Sequence, residues 1–160
     1  MTLRPYRISV SSILLTGLLA LFAALNPQSV TAAEKSIVGS WVVDVFPNAP
    51  GPPPFKNLGT FTQDGGDINS SPSFGGGHGA WKKLGDKTYA VRFLTLVPPG
   101  FDPPFPEQTI VTVFSDPLTL NKDGDEMTGP FKTVFSHPIT GAELASFEGT
   151  VVLTRITVDQ

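Results

Sequence analysis

The sequence predicts an all-β protein folded as a single antiparallel up-and-down β-barrel of about eight strands. Three observations carry this expectation. After residue 36 the apolar residues fall in short alternating or continuous runs separated by Gly, Pro, Asp and Asn, the punctuation of strands and turns. Past the N-terminal 33 residues no stretch sustains a helical period. Trp41, in the first strand-like run, and Arg155, in the last, can meet only if those strands are neighbours, which is what closure of a meandering sheet produces. Closure also removes the strand edges that invite aggregation. The chain has no Cys, so its stability must come from a packed core.

The first 33 residues read as a targeting segment. Arg4 and Arg7 form a basic start, residues 13–25 are uncharged and apolar, and Pro27 follows. Small residues at Ala32 and Ala33 offer cleavage sites, the layout of a secretory signal peptide. The apolar run is too short for the roughly 20 residues that span a bilayer, so no stable membrane anchor is expected. The expected location is secreted or periplasmic, with the barrel domain over residues 34–160. Without Arg4 and Arg7 the chain keeps 9 basic against 14 acidic residues, a balance that argues against nucleic acid as a partner.

The strands follow in order. Ile37–Phe46 alternates and stops at Pro47. Asn57–Gln63 ends in Asp64-Gly65-Gly66-Asp67, a hairpin turn by its chemistry. Asp67–Ser71 is a weak strand. His78–Leu84 and Lys87–Val97 flank Gly85-Asp86 as a hairpin. Gln108–Ser115 is rich in Thr, Val and Ile. Leu118–Asn121 meets Lys122-Asp123-Gly124-Asp125 and turns into Glu126–Ser136. Glu143–Val158 is long enough to bend at Gly149. The count is eight or nine. In the last strand Phe147, Gly149, Val151, Leu153 and Arg155 share one face. An Arg on that apolar face needs a partner. The indole of Trp41 can serve, in a cation–π contact of roughly 1–2 kcal/mol when partly desolvated, sealing one barrel end.

Four motifs carry a resemblance. Gly39-Ser40-Trp41 opens the barrel, Thr60–Gly66 forms a Thr-Phe-x-x-Asp-Gly-Gly hairpin, His78–Trp81 reads His-Gly-x-Trp, and Gly149–Ile156 reads Gly-Thr-Val-x-x-Thr-Arg-Ile. The Gly-x-Trp start with a C-terminal Arg resembles the calycins, the lipocalin and fatty-acid-binding superfamily. The chain from residue 34 is similar to small bacterial secreted proteins of lipocalin-like or allene-oxide-cyclase-barrel type. The resemblance implies a calycin-like barrel with a cavity.

The best reading is therefore a secreted barrel that binds a small apolar or aromatic molecule, since barrels of about eight strands leave room for side chains or one small ligand. Two Pro-rich loops carry Phe55 and, between Pro98 and Pro106, Phe101 and Phe105. In up-and-down order both loops share one barrel end, where these rings could form a ligand-binding rim or plug the core. Arg92, in an apolar strand, could hold a ligand carboxylate, pair with an acid or point outward. The alternative is a cofactor-free cyclase or isomerase of allene-oxide-cyclase barrel type, with His78, Tyr89 and Arg92 as catalytic candidates for proton handling or anion stabilisation. A second alternative is a non-catalytic structural or interaction module with a solid barrel. His78 and His137 have no third ligand nearby, so no metal is expected, and no cofactor motif is present.

Overall fold

The computed structural model describes residues 35–100 and 108–158. The expected signal peptide, its cleavage sites, Phe101 and Phe105 lie outside the described residues. Eight strands follow in chain order: β1 (Gly39–Pro47), β2 (Phe55–Phe61), β3 (Gly66–Ser71), β4 (Gly75–Lys83), β5 (Thr88–Val97), β6 (Thr109–Leu120), β7 (Glu126–Ser136) and β8 (Glu143–Arg155). Each pairs antiparallel with the next, and β1 pairs with β8 from Trp41↔Arg155 to Pro47↔Gly149. The sheet is a closed up-and-down barrel.

The count settles at eight because Gln108–Ser115 and Leu118–Asn121 belong to one strand. Within β6 the pairing with β7 shifts between Phe114 and Thr119. Pro117 sits in that gap and has no N–H to give the ladder, so one long strand reads in sequence as two short ones. Strand β4 starts earlier than expected, at Gly75 rather than His78. The glycines are strand residues: a Cβ on Gly79 would lie 2.3 Å from the Arg92 carbonyl oxygen and 2.5 Å from Phe93 Cβ. Only glycine lets β5 come this close.

The core divides along the barrel. Ile37, Trp41, Tyr89, Leu120 and Met127 are almost wholly buried and belong to one large cluster with Val43, Val45, Phe61 and Leu153. Ile37, Trp41, Tyr89, Leu120 and Met127 fill the end where the chain enters β1 and leaves β8. Val97, Val111 and Phe135 form a smaller cluster, with Phe74 edge-on to Phe135 at 5.9 Å. Two turns tighten the first end. At the β2–β3 turn Thr62 N–H donates to the Gly66 carbonyl at 2.9 Å. Trp81 Nε1 donates to the Thr62 carbonyl at 2.9 Å, tying β4 to the same hairpin. At the β6–β7 turn Asn121 Oδ1 accepts from Gly124 N–H at 2.7 Å, a side chain standing in for a main-chain turn bond.

Candidate functional site

The alternation of each strand points a second set of residues at the barrel axis. Inward positions are Val43 and Val45 on β1, Phe61 on β2, Val91 and Phe93 on β5, Val111 and Val113 on β6, Phe131 and Thr133 on β7, and Val151 and Leu153 on β8. Together they enclose a cavity of about 70 Å³ whose lining also includes Phe55, Asn57, Asp67, Asn69 and Ser71. The lining is two-sided. The wall made by β2 and β3 contributes Asn57, Asp67, Asn69 and Ser71, and the remaining wall is mostly Val, Leu and Phe. An apolar cavity needs roughly 150 Å³ to take up benzene and a water occupies about 30 Å³, so this lumen is narrow.

Asp67 is the chemically unusual group. It sits directly after the β2–β3 turn, paired across the sheet with Phe61 on β2 and Gly79 on β4. It retains 2% exposure, and neither carboxylate oxygen has a hydrogen-bond partner. Burial alone pushes its carboxyl up to about 7, because the charged form loses its water and gains no compensating partner. Asn57 Oδ1 on the same wall is also buried without a partner. Asp67 is the one titratable group lining the cavity among the described residues.

The sequence candidates are placed as follows. Phe55 lines the lumen at the start of β2. Arg92 is exposed on the outer face of β5, its guanidinium carbon 5.0 Å from the Phe114 ring centroid, so the reading of Arg92 inside the lumen is corrected: its alternation with Val91 and Phe93 turns it outward. His78 is exposed on the outer face of β4, opposite Ile68 and Leu94. Tyr89 is buried in the end plug, edge-on to Trp81 with ring centroids 5.8 Å apart. His78, Tyr89 and Arg92 therefore do not converge, and none of them lines the cavity.

Trp41 and Arg155 meet. The guanidinium carbon lies 4.2 Å from the Trp41 ring centroid. Arg155 Nε donates to the Gly124 carbonyl at 2.6 Å, Nη1 to Val38 at 2.7 Å and Nη2 to Ser36 at 2.5 Å. Trp41 Nε1 donates to the Ile37 carbonyl at 2.9 Å. Burial lowers the Arg155 pKa from its ordinary value, partly offset by Asp125 and Tyr89. The pair closes the barrel end and stands apart from the lumen.

Sequence reasoning missed the polar wall. Asp67 reads as the last residue of a turn, and Ile68 as the residue a strand would bury. The structure does the reverse: Asp67, Asn69 and half-buried Ser71 face in, and Ile68 is 52% exposed. The available signal was register. Phe61 faces the core, and its cross-strand partner must share that face. No protein-family model, curated protein or solved structure matches this chain.

Proposed function

We propose that this protein binds one small apolar molecule inside its barrel. The observation that carries the reading is the lumen, a cavity bordered by Val, Leu and Phe side chains within a barrel whose other end is filled by its own core. A preformed apolar pocket with a few polar groups is the usual form of a small-molecule site. Its volume, about half that of a benzene-sized cavity, favours a short aliphatic ligand over an aromatic ring. The leader-like residues 1–33 support export, so the ligand would be met in the periplasm or outside the cell.

Native mass spectrometry of protein purified from its own host tests this. The expected result is a second mass species heavier by one small molecule, lost on denaturation. Finding only the bare chain, together with no binding from a panel of short-chain and aromatic compounds, would reject the reading. N-terminal sequencing of the exported protein should begin at Ala33 or Glu34.

The reading as a cofactor-free cyclase or isomerase retains one observation in its favour. Asp67 titrates near neutrality in the lumen, the property expected of a buried proton donor. His78 and Arg92, on the outer face, give it no support.

A further inference from the structure

The polar wall has a feature that a purely apolar occupant would leave unused. Among the described residues, the buried side-chain nitrogen and oxygen atoms without a partner are Asn57 Oδ1 and both carboxylate oxygens of Asp67. All three accept hydrogen bonds when Asp67 is ionised, and both residues line the same cavity. Buried polar groups in folded proteins nearly always have partners, so an unmatched pair of carboxylate oxygens calls for one.

The surroundings restrict what that partner can be. Phe61 and Gly79, the cross-strand neighbours of Asp67, are uncharged, and among the described residues no Lys, Arg or His lines the lumen. An incoming carboxylate or phosphate would meet an acid and no cation. An alcohol could donate one hydrogen bond but would leave the carboxylate charge uncompensated. A primary ammonium brings a positive charge and three N–H donors in the volume of a methyl group, which suits a lumen of about 70 Å³. The opposite wall, with Val91, Val111, Val151 and Leu153, asks for hydrocarbon behind that head group.

We infer that the Asp67 end of the lumen is a recognition site for the ammonium group of a short aliphatic amine, whose few carbons lie against the Val- and Phe-lined wall. This rests on the reading of the lumen as a ligand cavity and names the class of ligand. The carboxyl is already buried in the ligand-free protein, so its own dehydration is charged to folding, and the amine bears only its own dehydration on entry. The resulting ion pair is enclosed by apolar side chains and little screened by salt.

Calorimetric titration at pH 8 with ethylamine, ethanol and acetate puts three head groups on a hydrocarbon stub small enough for the lumen. Ethylamine should bind roughly tenfold or more tightly than ethanol, and acetate weakest of the three. In Asp67→Asn the amine should fall to the level of the alcohol while the alcohol's affinity holds. An amine that binds no better than ethanol, or a preference that survives in Asp67→Asn, overturns the amine assignment and leaves the lumen a ligand cavity. Binding of none of the three overturns both. The comparison on the unmodified protein decides the matter even if the variant fails to fold.

Discussion

The guanidinium of Arg155 lies over the Trp41 ring, its carbon 4.2 Å from the centroid, and gives its donors to three main-chain carbonyls, at Ser36, Val38 and Gly124. These belong to the segment before β1 and the β6–β7 turn, so one side chain on β8 ties three parts of the barrel end. Arg155→Ala removes the cation–π contact and all three bonds together. It should destabilise the fold by about 2–4 kcal/mol, read as a lowered denaturation midpoint. Arg155→Lys should recover little, because a point charge cannot reproduce the planar fork. An unchanged melting temperature in Arg155→Ala would show that the clamp contributes nothing.

Gly39 makes room for that clamp. Its φ is +133°, and a Cβ there would stand 2.6 Å from Arg155 Nη1. Gly39→Ala should cost about 1–3 kcal/mol through backbone strain and displacement of the guanidinium. In Gly39→Ala/Arg155→Ala the two losses should sum to less than the separate values, since the clash disappears with the arginine. Additive losses in the double mutant would mean that the two residues do not interact.

Asp67 makes stability depend on pH in an uncommon direction. Its folded-state pKa, about 7, lies above the ordinary value of 3.8. The folded protein therefore holds this proton more tightly than the unfolded chain. The associated stability is fully present below about pH 4, declines as pH rises, and is lost once pH passes about 7, a total on the order of 4 kcal/mol. Asp67→Asn lacks the titration. Its denaturation midpoint should exceed that of the parent at pH 8, and the advantage should shrink towards pH 4. Parallel stability curves across this range would show that Asp67 is not a buried, unpaired acid.

Filling the lumen distinguishes a ligand cavity from a solid barrel. Val113 is half-buried and lines the cavity. Val113→Phe should leave thermal stability within about 1 kcal/mol, whereas overpacking a filled core costs about 1–3 kcal/mol. The same variant should abolish ethanol binding. A strongly destabilised Val113→Phe would point to a barrel packed solid by its own side chains.

Much of this architecture was legible because strand period and turn chemistry are local. The β2–β3, β4–β5 and β6–β7 turns are marked by Asp-Gly, Gly-Asp and Asp-Gly-Asp, and the inward face of β8 follows from simple alternation. The pairing of Trp41 with Arg155 was readable because an Arg on an apolar face has few possible partners. The candidate site was much less legible. Strand β3 turns its polar residues inward, so hydropathy assigns its faces backwards and the strand looks weak. Arg92 and His78 attracted attention as polar residues in or beside apolar strands, but a barrel strand has two faces and composition does not say which is outside. Outward Leu94 and Leu96 beside Arg92 make that face look like a core. The division of β6 was obscured by Pro117, whose break in the ladder resembles the end of a strand.

The clamp at the barrel end has a kinetic consequence. Arg155 bonds residues 117 and 119 positions earlier in the chain, and every β1–β8 pair spans a similar distance. Contacts this remote in sequence slow folding, because the loop between them must close before they form. The ring of strands also cannot be completed until β8 is available, and until then β1 keeps an unpaired edge. A chain emerging from synthesis therefore remains unclosed until β8 has been made. If the export proposed above takes place, that delay would keep the polypeptide in a threadable form meanwhile.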